Sequence, residues 1–191
     1  MNFALITENY FTSCTSFVAV DNREPFYSTN HYCPTSANNA IVWHDQDGGQ
    51  TSNVGPIADN GDLSVSAEFA AHLMSFDPYG IEVYPSTLTL SNGTLENRYL
   101  LAINNLIDVL DEEKSEIEIS PKSGDLLIHE LYLSASKLSA IPLEKRVVFR
   151  VKGAETAIFF CEEFFDVINT KPSFAKLRKT KISTADVTPK F

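Results

Sequence analysis

The chain has little of what most catalytic and metal-binding signatures need. It holds three cysteines, Cys14, Cys33 and Cys161, an odd number with no close pair, which leaves no disulfide framework and no zinc spacing. Its four histidines, His31, His44, His72 and His129, are scattered along the sequence. It has no G-x-S-x-G elbow, no H-E-x-x-H and no Gly-rich phosphate loop. No apolar run approaches the length that spans a bilayer. The opening MNFALITENYFTSC lacks a basic n-region and brings Glu8 in too early for an apolar signal core, so a cytoplasmic location is expected. Positive charge is scarce as well: residues 1–170 carry nine Lys and Arg against 24 Asp and Glu. Binders of nucleic acid and of anionic lipid need basic side chains, so neither nucleic acid nor membrane insertion is expected.

The chain does have apolar mass. Its hydrophobic fraction is 43% and it carries 13 Phe, enough for a packed core in a chain of 191 residues without disulfide or metal staples. Net charge is −10, and an acidic body steers toward basic partners. Residues 171–191 reverse the sign, with six basic residues and one acid. This tail reads as a surface strand pairing its charges with the acidic body, or as a small anion-binding arm.

Two parts are expected. Residues 1–62 are polar and interrupted by Pro25, Pro34 and Pro56, with short strand-like runs at Phe3 to Ile6, Phe17 to Val20 and Ala40 to Trp43. This part is expected to pack on a main domain spanning residues 63–191. There Ser64 and Ser66 are candidate N-caps for a helix over Ala67 to Ser75, with Phe69 and Leu73 on one face and Met74 beside them. Asp77-Pro78 ends it. Gly80 to Tyr84 alternates as a strand that Pro85 closes, and Ser86 to Leu90 alternates again. Asn92-Gly93 signals a hairpin returning along Glu96 to Ile103. Leu106 to Leu110 continues the sheet after a bend, Glu116 to Ser120 is a strand with one acidic face, and Leu126 to Leu133 follows a turn at Pro121 to Gly124. Ser134 to Ser139 suits a short helix. Arg146 to Val151 and Thr156 to Phe160 form a second hairpin, Cys161 to Ile168 a helix, and Leu177 to Ile182 a last strand. The fold class is α+β: mainly antiparallel twisted sheet with a few short helices packed on it. Val65 to Leu73 also lies faintly on Phe160 to Ile168, sharing Glu-Phe at Glu68-Phe69 and Glu163-Phe164.

Three stretches carry candidate chemistry. His44-Asp45-Gln46-Asp47-Gly48 offers hard-ion ligands, but it lacks the third acid and distal Glu of a Ca²⁺ loop and reads better as a turn. Cys161 precedes a helix, where a thiol pKa can fall, yet Ile158-Phe159-Phe160 before it argues for burial. The third stretch is Asp108 to Glu118, with six carboxylates in eleven residues: Asp108, Asp111, Glu112, Glu113, Glu116 and Glu118. Such crowding suits neither a desolvated acid nor a paired acid/base site. It suits either a solvated face or a surface that attracts a basic partner.

The stretches IEVYPSTL, ENRYLLAINNLIDVLDEEKSEIEI, LYLSASKLSAIPLEKRVVFRVKG and AIFFCEEFFDVI, in that order, resemble the bacterial polymorphic-toxin immunity family numbered eleven over about residues 63–182. The matching positions are Tyr84-Pro85, Asn105, Ile107-Asp108, Glu113-Lys114-Ser115-Glu116, Leu131 to Leu133, Phe149-Arg150-Val151-Lys152 and Ile158 to Phe164. Cys161 stands where the family often has a Ser cap, Phe164-Phe165 replaces the commoner Leu, and the closing strand differs. The resemblance implies an antidote rather than an enzyme. Such a protein binds one cognate toxin, delivered by contact or by a secretion system such as type VI, and uses no cofactor or metal. The acidic run is the expected contact. The alternatives are a metal-dependent hydrolase using residues around 44–47 and a non-catalytic adaptor subunit, with the oligomeric state left open.

Overall fold

A computed structural model of the chain describes residues 2–7, 17–19, 41–46, 48–59, 62–122, 126–175 and 177–183. In chain order these form β1 (Asn2–Thr7), β2 (Phe17–Ala19), β3 (Ile41–Asp45), a 3-10 turn (Thr51–Asn53), β4 (Ile57–Asp59), β5 (Leu63–Ser66), α1 (Ala67–Met74), β6 (Ile81–Leu90) and β7 (Gly93–Ile103). There follow β8 (Leu106–Ile107), β9 (Glu116–Ile119), β10 (Leu126–Glu130), α2 (Ala135–Ser139), α3 (Leu143–Arg146), β11 (Val148–Val151), β12 (Ala154–Cys161), α4 (Glu162–Thr170), a second 3-10 turn (Pro172–Phe174) and β13 (Arg178–Ser183). The class is α+β, as the alternation of apolar residues predicts.

The strands make a six-stranded sheet ordered β2-β3-β6-β7-β5-β4, a five-stranded sheet ordered β13-β1-β12-β11-β8, and a two-stranded ribbon of β9 and β10. Most neighbours are antiparallel; β3 with β6 and β8 with β11 are parallel. Strands from residues 1–62 enter both large sheets.

Each large sheet contains a strand–helix–strand unit with a third strand between its two strands. β5 and β6 both run antiparallel to β7, so they are parallel to each other, with α1 as the connection. β12 and β13 stand in the same relation to β1, joined through α4. In both units the helix begins directly at the strand end, from an extended N-cap residue: Ser66 (φ −68°, ψ 156°) and Cys161 (φ −71°, ψ 163°). The hydroxyl of Ser66 accepts from the N–H of Phe69 at 3.2 Å, satisfying one of the free donors of the first turn. The stretches Val65–Leu73 and Phe160–Ile168, aligned above, occupy equivalent places in these two units. Their shared phenylalanines, Phe69 and Phe164, meet edge to face at 5.5 Å.

These rings sit in one apolar core filled from both sheets, with Phe69, Leu73, Phe149, Phe159, Phe164, Ile168 and Phe174 fully buried. A smaller cluster of Ile41, Trp43, Ala58, Leu88, Leu90 and Leu100 covers the opposite face of the six-stranded sheet. Met74, expected beside the helix's core face, is 37% exposed.

Several expectations need correction. Pro85 does not close a strand: β6 continues through it and Pro85 registers with Tyr99. The parallel partner β3 begins only at Ser86, so the N–H that proline lacks is not needed for a ladder on that side. Leu106 to Leu110 does not continue the same sheet. β8 crosses to the other one, where it pairs with β11, and Leu110 makes an isolated bridge to Leu133. The strand expected to reach Leu133 stops at Glu130. α3 is an added turn of helix that begins after Pro142.

Asn105, one of the positions behind the family resemblance, is buried and structural. Its side-chain amide donates to the carbonyls of Lys145 (2.9 Å) and Val148 (2.8 Å), and its own carbonyl accepts from the N–H of Arg150 at 2.8 Å. Gly80 packs against it at a positive φ of +69°; a Cβ there would come within 3.1 Å of the Asn105 nitrogen.

His72 stacks on Phe164 at 5.0 Å and meets the edge of Phe76 at 5.4 Å, and its Nε2 is buried without a hydrogen-bond partner. Burial, and then the charge of Lys171, lower its pKa, while a backbone hydrogen bond with Phe164 and the carboxylate of Glu68 act the other way. A histidine whose folded pKa lies below its unfolded value holds fewer protons when folded, so stability is lost as pH falls through the unfolded range near ~6.5. Thermal midpoints are expected to drop on going from about pH 7 to about pH 5. His72→Phe, which keeps a ring on Phe164 but cannot titrate, should flatten that drop. An unchanged pH slope in the variant would sink this assignment.

Candidate functional site

The acidic run starts in the core and leaves it. Val109 and Leu110 are buried, and the backbone there is tied to the segment after β10: Ser134 N–H donates to Val109 O (2.8 Å) and Asp111 N–H to Tyr132 O (2.9 Å). The chain then turns over Asp111 to Ser115. Ser115 N–H closes the turn on Asp111 O at 2.9 Å, and the hydroxyl of Ser115, a buried residue, accepts from Tyr132 N–H at 3.0 Å. The turn is therefore a hydrogen-bonded protrusion, with Glu112, Glu113 and Lys114 exposed at its tip.

β9 carries the run onward. Period-two alternation puts Glu116 and Glu118 on one face, while Ile117 packs against the core on the other. Ile119, on the same face of the strand as Ile117, is 66% exposed. Across the ribbon Ile117 pairs with Ile128 and Glu116 with Glu130, and an irregularity between Ile128 and Glu130 accommodates His129 as an extra residue.

The six carboxylates fall into two sets. Asp108 accepts from Lys137 Nζ at 3.0 Å, and this bond, reinforced by the lysine's charge, lowers its pKa. Lys137 also reaches Leu110 O at 3.3 Å, so this exposed pair pins α2 to the root of the run. Asp111 accepts from Lys114 N–H at 3.3 Å inside the turn, and Glu118 lies 3.1 Å from His129 Nε2. Glu112, Glu113 and Glu116 make no hydrogen bond or ion pair among the described residues. Glu130 is the member that sequence reading missed. Only the register of the ribbon brings it opposite Glu116, and the turn signal at Pro121 to Gly124 was the available clue.

The other candidates lie elsewhere. His44 is exposed on β3. Asp45 Oδ2 accepts from Gly49 N–H, closing a turn in which a Cβ at Gly49 would come within 3.3 Å of the carboxylate. Asp47, His31, Cys14 and Cys33 lie outside the described residues. Among the described residues no three His, Cys, Asp or Glu gather as a metal-binding group. Cys161 is buried, and desolvation pushes its thiol up to about 12, which keeps it protonated and unreactive at neutral pH. Among the described residues no helix is long and apolar enough to cross a membrane.

Comparison of the chain with curated proteins returns no match. A family model described as "Immunity protein family (Imm11)" matches residues 31–181, a span that starts well before the stretch over which the resemblance is visible by eye and includes strands of both large sheets. With most of its 191 residues inside that match, the chain belongs to the Imm11 immunity protein family.

Proposed function

We propose that this protein is an antidote that binds one cognate bacterial toxin stoichiometrically in the cytoplasm of the producing cell, and that the turn and ribbon from Asp108 to Glu118 form part of the contact. The reading assigns the protein no catalysis, cofactor or nucleic acid. The observation that carries it is a protrusion anchored by backbone hydrogen bonds whose outermost carboxylates, Glu112, Glu113 and Glu116, are left without cations among the described residues. Like charges directly opposite on a ribbon are destabilising. The Glu116–Glu130 pair is thus a local cost that a basic side chain from a partner would relieve. Asp108, Asp111 and Glu118 shape the surface and add to its field. Delivery of the toxin by a type VI or contact-dependent route fits the family.

The triple variant Glu112→Lys/Glu113→Lys/Glu116→Lys tests this against the toxin encoded beside the gene. All three side chains are exposed, so folding should be preserved. The association rate at low salt is expected to fall by roughly 10-fold or more, and the salt dependence of binding to flatten. Wild-type rate and affinity in the variant would remove the acidic turn from the interface.

A further inference from the structure

The six-stranded sheet is incomplete beside the first half of β7. β5 pairs with β7 only as far as Ser66 opposite Arg98, and there the chain leaves the sheet to cap α1. Both neighbours of β5 run on. On one side β7 extends back to Gly93, registering only with β6 among the described strands. On the other, β4 is preceded by Val54–Pro56, with Ser66 N–H donating to Pro56 O at 2.8 Å. Between these rails there is open space beside Thr94–Asn97, and it narrows toward the hairpin tip, where Thr51 approaches Gly93. A cavity of about 750 Å³ fills it, lined by Thr94–Asn97, Val54–Pro56 and, at the rim, Glu68 and Ser173.

The far end of the gap is built. The hairpin tip is tied to the loop before the first 3-10 turn, with Thr51 N–H donating to Asn92 Oδ1 at 2.9 Å and Ser91 Oγ to Gly49 O at 2.7 Å. β7 is also irregular here. Its register against β6 shifts between Ser86 and Leu88, so that Glu96 and Asn97 together oppose Thr87. Bulges of this kind recur at sheet edges and beside binding sites, where they re-aim side chains. The charges are settled on one side only. Arg98 donates to Ser64 Oγ (3.0 Å), Gly55 O (2.8 Å) and Ser64 O, and is buried. Glu68 shares Lys171 at 3.4 Å. Glu96 is exposed and has no hydrogen bond or ion pair among the described residues.

We propose that this gap is a strand-addition site: an extended segment of a partner polypeptide lies in line with β5, bonds to the edge of β7 over Thr94–Asn97, and sets a lysine or arginine against Glu96. Four residues of strand are about 13 Å long, the length of that edge. Backbone pairing supplies the affinity in this mode, and the pocket beside it supplies the preference for a basic side chain. The site shares no residue with the acidic turn and does not rest on its reading.

The probe is a panel of end-capped hexapeptides that alternate Lys with Val, Thr or Ile, titrated to millimolar concentration into ¹⁵N-labelled full-length protein. Saturable amide shifts are expected at Thr94–Asn97 and Gly55. They should vanish when alternate peptide amides are N-methylated, weaken about fivefold in Glu96→Gln and further in Glu96→Lys, and persist in Glu112→Lys/Glu113→Lys/Glu116→Lys. No saturable shift with any peptide overturns the proposal, as does equal binding by the N-methylated peptides or by ones with Asp for Lys. The same amides shifting on dilution of the protein alone, or on deletion of residues 184–191, would assign the gap to a second copy or to the chain's own tail, and overturn it too.

Discussion

Phe69→Ala is expected to cost about 3–5 kcal/mol and to lower the thermal midpoint by roughly 6–20 °C. Phe69 is fully buried and meets Phe160, Phe164 and Phe174 edge to face, at 6.2, 5.5 and 5.7 Å. Those rings come from β12, α4 and the second 3-10 turn, whereas Phe69 belongs to α1. The ring is therefore a central contact, beside the His72–Phe164 stack, holding the strand–helix–strand unit of one sheet against that of the other. Truncation removes its transfer free energy and leaves a cavity walled by aromatic rings that cannot close on it without moving helices. Phe69→Leu should recover most of the loss, since it refills part of the volume with apolar atoms. Ile119→Ala, at a 66% exposed position, is the control and should stay within about 0.5 kcal/mol of wild type. Urea and thermal unfolding followed by circular dichroism measure all three. A Phe69→Ala loss below about 1 kcal/mol would mean that the two units do not share one core.

Arg150→Met is the second large expectation, at about 1–3 kcal/mol. Arg150 lies on β11 in the five-stranded sheet and is only 7% exposed, with Nε lacking a hydrogen-bond partner. Burial lowers its pKa. The carboxylates of Asp59, Asp62 and Glu155 oppose that shift, in that order. Asp59 ends β4 and Asp62 precedes β5, so two of these charges come from the other sheet; Asp62 is itself 2% exposed. Removing the guanidinium withdraws positive charge whose field reaches the buried Asp62 carboxylate. Adding Asp62→Asn to Arg150→Met should therefore restore about 1 kcal/mol or more. Strict additivity of the two single losses, within about 0.5 kcal/mol, would show that the charges do not act on each other.

What local sequence could reveal is set by how far each interaction reaches. Ser66 as a helix cap, the Asn92-Gly93 hairpin and the alternation along β6 and β9 are all decided within a few residues, and they are readable. The α3 turn spans only four residues after Pro142, too few for a helical period to register. Pro85 misleads because its tolerance depends on where a different strand begins. The acidic run shows the same division. Its composition marks a candidate surface, but Asp108 is engaged by a lysine 29 residues away and Glu118 by a histidine eleven away. Which carboxylates remain uncommitted is a property of the ribbon's register, as is the placement of Glu130. The gap beside β7 has no sequence signature, because it exists where β5 turns away.

β1 sits between β12 and β13, with Phe3 opposite both Cys161 and Ile182. The pairings of β1 thus bridge more than 150 residues of sequence. During synthesis the segment Asn2–Thr7 emerges more than 150 residues before the strands it pairs with. At about 5–20 residues per second that wait is on the order of 10–40 s. For this interval an apolar strand with unpaired edges has to be kept from associating with other chains, which makes it a natural client for chaperones. The same topology makes completion of this sheet a late event. A chain cut short before Arg178 would lack the strand that flanks β1 on its other side and leave that edge open.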